Sequence, residues 1–95
     1  MAWTVNTKKK RIKKIRLSGH ARDNLRSRGT SKTEIIEAIQ SSEWAPAERG
    51  RLEWRKEFEF QKEWNGKFYA TKQVRPIFVE EKNEIVVVTV YVYYY

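Results

Sequence analysis

Leu17-Ser18-Gly19-His20-Ala21-Arg22-Asp23-Asn24-Leu25-Arg26-Ser27-Arg28-Gly29-Thr30-Ser31 is the stretch from which the rest of the chain can be read. Ser18 is a good N-cap and Gly29 stands where a helix stops, so the spacing predicts one helix between them. At about 100° per residue, Ala21 and Leu25 share an apolar stripe. His20, Asn24 and Arg28 follow at i, i+4 and i+8 along one edge of it, and Arg22 and Arg26 along the other. The only histidine and three arginines thus flank a buried face. This is the first place to look for chemistry.

Upstream, Ile15-Arg16-Leu17 reads as a short strand leading into that helix. Residues 1–14 read as an irregular basic arm, with Trp3 and Val5 touching the body, ahead of a single domain over 15–95. The net charge is +8, and residues 1–16 hold Lys8, Lys9, Lys10, Arg11, Lys13, Lys14 and Arg16 without an acid. The rest of the chain is close to neutral. A basic arm on a near-neutral fold points to a polyanion such as nucleic acid, although such a run also serves simply to keep a chain soluble.

Downstream, Ser31-Lys32-Thr33-Glu34 is a capping box in which Ser31 serves the Glu34 N–H and the Glu34 side chain returns to Ser31. Ile35, Ile36 and Ile39 supply the buried side of this second helix, which fades at Ser41-Ser42. Two helices joined by a short turn resemble a DNA reader. The exposed residues Lys32, Glu34, Glu37 and Gln40 argue against that use, because two acids and one lysine repel phosphate.

Trp44 to Gly50 is a connection punctuated by Pro46 and Gly50. Beyond it the period becomes two: Leu52, Trp54, Phe58, Phe60 and Trp64 alternate with Glu53, Arg55, Glu57, Glu59 and Glu63. Asn65-Gly66 is a hairpin signal. A two-residue turn sets Phe60 against Thr71, whereas a three-residue loop sets Phe60 against Ala70 and Lys62 against Phe68. The second register gathers apolar residues on one face and is the one expected. Val74–Glu80 reads as a third strand with Pro76 at an edge, bulge or start. Glu81-Lys82-Asn83 is a turn, Ile85–Tyr93 a central strand, and Tyr94 and Tyr95 run off its end. The expected class is α+β: two N-terminal helices packed on a three- to four-stranded, mainly antiparallel sheet, on the face bearing Phe58, Phe60, Phe68 and Val88 or its neighbours.

His20-Ala21, Arg28-Gly29, the Ser-capped second helix and Val87-Val88-Thr89-Val90-Tyr91 together resemble the domain of unknown function family 4258 (DUF 4258) over about residues 15–93. That family is similar in layout to the RelE and BrnT toxins of bacterial toxin–antitoxin pairs. The resemblance implies a barnase–EndoU–colicin–RelE-like fold, RNA cleavage without metal or cofactor, and a small acidic antitoxin-like partner. Position 24 departs from the pattern, which has Arg where this chain has Asn24.

Metal-free RNA cleavage needs a base for the 2′-hydroxyl, cations for the phosphorane and an acid for the leaving oxygen. His20 suits base or acid, and Arg28 suits the phosphate. Tyr91 or Tyr93 is the candidate for the second proton carrier. Lys56, Lys62, Arg22, Arg26 and the arm residues Lys8, Lys9, Lys10, Arg11, Lys13 and Lys14 are candidate nucleic-acid ligands. Each has a plainer role. His20 can bond a backbone carbonyl, Arg28 can answer the helix dipole, Lys56 and Lys62 can blunt a sheet edge, and the tyrosines can be core. One histidine and no cysteine give no metal site.

The functions expected are therefore a toxin-type ribonuclease or, alternatively, a non-catalytic RNA- or protein-binding module using the arm and exposed aromatics. A monomer, or a homodimer through the C-terminal strand, fits either. The absence of cysteine fits a cytoplasmic setting, and no apolar run is long enough to span a membrane.

Overall fold

The computed structural model describes residues 13–41 and 44–95. The expected roles of residues 1–12, including Trp3, Val5, Lys8, Lys9, Lys10 and Arg11, lie outside these, as does Ser42. Strand β1 (Lys14–Leu17) leads into α1 (Gly19–Asp23), α2 (Leu25–Arg28) and α3 (Lys32–Gln40). The short strands β2 (Ala45–Pro46) and β3 (Leu52–Glu53) follow, then β4 (Lys56–Trp64), β5 (Lys67–Glu80) and β6 (Glu84–Tyr94).

The architecture is α+β, with N-terminal helices on one mixed, mostly antiparallel sheet of six strands rather than three or four. Its order is β1-β6-β5-β3-β2, and β4 runs beside β5 on the same side as β3. β1 and β6 are parallel, with Ile15 against Ile85 and Leu17 against Val87. The separate third strand expected over 74–80 is the second half of β5. One long strand is paired first with β4 and then, across a gap at Arg75 and Pro76, with β3.

The single helix expected between Ser18 and Gly29 is broken at Asn24, for a local reason. The Asn24 side-chain amide donates to the His20 carbonyl at 2.8 Å, the acceptor a continuous helix would give to the Asn24 N–H. That N–H turns to Ala21 O at 3.2 Å instead. Asparagine competes with the helix in this way because its short side chain imitates the backbone. The expected caps are in place, with Ala21 N–H donating to Ser18 Oγ and Glu34 N–H to Ser31 Oγ. The reciprocal half of the capping box is diverted. Glu34 accepts from Thr30 Oγ1 and pairs with Lys72 Nζ, each at 2.9 Å.

The hairpin takes the two-residue turn. Trp64 faces Lys67 and Lys62 faces Tyr69, with Asn65 and Gly66 both left-handed at φ 52° and 83°. A bulge between Glu59 and Lys62 then shifts the ladder, so that Phe58 meets Lys72 and Lys56 meets Val74. The expected register holds only beyond that bulge. Phe68, expected on the buried face, is 56% exposed. Tyr94 and Tyr95 do not run free either. Tyr94 belongs to β6, and Tyr95 exchanges both backbone hydrogen bonds with Thr71.

The core lies between the helices and one face of the sheet, where Ala21, Ile35 and Ile39 meet Ile15, Leu17, Val74, Phe78, Ile85, Val87 and Val90. A second bulge, at Val88, keeps these residues on one side while Thr89 and Tyr91 go to the other. Trp44 closes the end of the core, its ring edge-on to Phe78 at 5.1 Å and its N–H on the Ile39 carbonyl. Among the described residues no helix is long and apolar enough to cross a membrane.

Candidate functional site

The helix-covered face is filled, so chemistry has to be sought on the other side of the sheet and at its rim. α1 and α2 pack against β6 where β1 leaves off, starting from Ser18 N–H on the Val87 carbonyl. The end of α2 is then tied down. Gly29 adopts φ 79°, the left-handed cap. The orphan carbonyl of Arg28 accepts from Tyr94 Oη at 2.7 Å, and that of Gly29 accepts from Lys72 Nζ at 2.9 Å. Lys72 is only 7% exposed. It is neutralised by Glu34 and lies 5.4 Å from the Phe60 ring centroid. A buried ammonium needs this complete set of partners.

This anchorage decides where the Arg28 side chain goes. Its guanidinium lies 5.8 Å from the centroid of Tyr91, on the open side of β6. The Arg75 guanidinium approaches the same ring at 6.0 Å from β5, where Arg75 and Tyr91 are register partners. Arg75 Nε also donates to Glu53 Oε1 at 2.7 Å, and this hydrogen bond holds the guanidinium above its already high ordinary value. Tyr93 lies beside Tyr91, with centroids 6.5 Å apart and rings inclined at 24°. Two cations on one phenol ring is a gathering that core packing does not call for. Arg28 Nε adds to it. Among the described residues it is the one buried side-chain nitrogen or oxygen without a hydrogen-bond partner.

Beside this cluster is an open hollow of about 620 Å³. Arg75, Ile77, Thr89, Tyr91 and Tyr93 form its floor, and Glu53 and the β2–β3 connection, including Arg49 and Arg51, form its wall. Among the described residues no group of three or more His, Asp or Glu side chains is placed to hold a metal ion.

Of the residues singled out in the sequence, the fold brings Arg28, Tyr91 and Tyr93 together and leaves the others apart. His20 is exposed on α1, its ring Nε2 3.5 Å from the Asn24 side-chain nitrogen, and it does not line the hollow. Arg22 and Arg26 are exposed on the helices. Lys56 and Lys62 sit over the rings of Phe58 and Phe60, each at 5.6 Å. Lys13 is bound to Glu80 and the Glu81 carbonyl, and Lys14 begins β1. Arg75, Arg49, Arg51 and Glu53 complete the site without having been expected. Alternation would have found Arg75, which follows Val74 and therefore faces away from the core. Comparison of the chain with protein-family models, with curated proteins and with solved structures finds no match.

Proposed function

We propose that the protein cleaves single-stranded RNA without a metal, with the scissile phosphate in the hollow. The observation that supports this reading is the convergence of Arg28 and Arg75 on Tyr91 at the rim of an open concave surface. Guanidiniums suit a phosphorane because they stay charged and offer donors in a planar fork. In the step proposed, the 2′-hydroxyl oxygen attacks phosphorus and its proton passes to Glu53. The bond to the 5′ oxygen breaks, and that oxygen takes the Tyr91 proton. A 2′,3′-cyclic phosphate and a 5′-hydroxyl end result, and proton exchange with water resets both groups. Proton transfer thus moves from His20, as read in the sequence, to residues that border the hollow.

The test is cleavage of a single-stranded RNA by purified protein in excess chelator, with the ends of the products identified. Tyr91→Phe and Arg75→Ala are each expected to slow cleavage about a hundredfold or more, and His20→Ala to leave it unchanged. Loss of cleavage in His20→Ala alone would move the site to α1. No cleavage by the wild type would refute the enzyme reading. The exposed pair Tyr91 and Tyr93 favours what would then remain, a module that stacks bases and holds phosphates without cutting.

A further inference from the structure

We infer that the β2–β3 hairpin carries a second phosphate subsite, made by Arg49 and Arg51, so that the hollow holds two phosphates of one strand. This rests on the reading that the hollow receives RNA. The loop is pinned at its base, with Ala47 N–H on the Arg51 carbonyl at 2.8 Å and Arg51 N–H on the Glu48 carbonyl at 3.2 Å. Arg49 sits at φ 63°, the left-handed region that few residues with a side chain occupy. Both arginines line the hollow.

Their charge is the second part of the argument. Arg75 already has one carboxylate partner in Glu53 and Lys72 one in Glu34, but neither Arg49 nor Arg51 has an ion-pair partner among the described residues. Glu53 is engaged by Arg75, so of the loop's remaining charges Glu48 offsets one arginine and the hollow's lining keeps an excess of one positive charge on a concave surface, which concentrates anions. Reach is the third part. β3 lies next to β5 with Leu52 against Phe78, so Arg51, just before Leu52, stands one strand across and about four residues along from Arg75, roughly 14 Å between backbones. One phosphate does not bridge that distance. Neighbouring phosphates of an extended strand do.

The test measures binding of a 2′-O-methyl oligouridylate, which cannot be cleaved, to the full chain over a range of salt concentrations. The double variant Arg49→Ala, Arg51→Ala is expected to bind about tenfold more weakly. Its salt slope should be shallower by about 1.4, or about 0.7 for each phosphate of a single strand that is no longer neutralised. Arg49→Ala alone, at an exposed position, should lose about half of that slope and guards against misfolding of the double variant. Lys32→Ala, on α3, should match the wild type. If the double variant keeps the wild-type slope while Arg75→Ala has a shallower one, the second subsite does not exist and the hollow still receives RNA. If Arg75→Ala and the double variant both bind as wild type, the hollow does not receive RNA and the subsite falls with it.

Discussion

β5 and β6 send alternate residues to two faces that have opposite fates. Toward the helices go Val74, Phe78, Val87 and Val90, all fully buried. Away from them go Arg75, Tyr91 and Tyr93, which bond or stack with one another and still border open solvent. The bulge at Val88 preserves this division when the ladder slips. The covered face holds apolar volume, whose value lies in leaving no gap. The open face holds charged and phenolic groups, beside the buried Ile77 and Val86, which stand outside the helix-side core. A strand pair built this way separates a packed core from an open, charged surface by parity.

The largest effect should come from the covered face. Phe78→Ala removes a fully buried ring that packs against Trp44, and is expected to cost about 3–5 kcal/mol in urea unfolding. Tyr91→Ala, one strand away on the open face, should cost less than about 1 kcal/mol. Equal losses would mean that the open face is a second core and that the division drawn above is wrong.

Next comes the seam where the helices meet the sheet. A Cβ at Gly29 would lie 2.8 Å from Trp64 Cη2 and closer still to Tyr94 Oη, at a φ that disfavours any side chain. Gly29→Ala is therefore expected to destabilise by about 2–4 kcal/mol. Because Tyr94 is what holds the Arg28 carbonyl, the variant should also displace the Arg28 guanidinium from Tyr91. An Arg28 side-chain NMR signal that stays where it is in the wild type would show that the seam does not set that position.

What could be read in the sequence was what is decided locally. Ser18, Gly29 and Ser31 mark helix ends because caps are chemistry between near neighbours. Asn65-Gly66 marks a turn for the same reason. The hairpin register was less legible because two local demands conflict. The turn wants two residues and the buried face wants the other alignment, and the bulge before Lys62 satisfies both. The parallel pairing of β1 with β6 joins residues some 70 positions apart and leaves no local trace. At the site, Arg28 and Tyr91 were legible as residue types, but their meeting depends on the anchored end of α2. Arg49 and Arg51 sit in a loop with no periodicity to place them.

Tyr94 supplies a smaller effect with a pH signature. Burial pushes its phenol above the ordinary value, and the Glu34 carboxylate adds to the shift. The folded state therefore holds this proton at pH values where the unfolded chain, titrating near about 10, has begun to lose it. Its contribution is complete below that value and is lost as pH rises through the folded one. Tyr94→Phe should cost about 1 kcal/mol at neutral pH for the lost bond to the Arg28 carbonyl. It should also lose stability less steeply above pH ~10. An alkaline limb identical to the wild type would assign that limb to other groups.

The smallest effect belongs to the open face near β1, and its size is the point. Arg16 Nε and Nη2 grip Glu84 at 3.2 and 3.0 Å, and the hydrogen bond to Arg16 holds the Glu84 carboxyl below its ordinary value. The pair stands in solvent, where Coulomb attraction is screened and two long side chains must be ordered to make it. Its contribution is present above the ordinary carboxylate value and fades as pH falls through the lowered one. Glu84→Gln should therefore leave neutral stability almost unchanged and flatten only the acid limb of a thermal-unfolding profile, the more so at low salt. A large loss at neutral pH would mean that charge pairing on the open face carries stability after all, and that parity does not divide the work of this sheet.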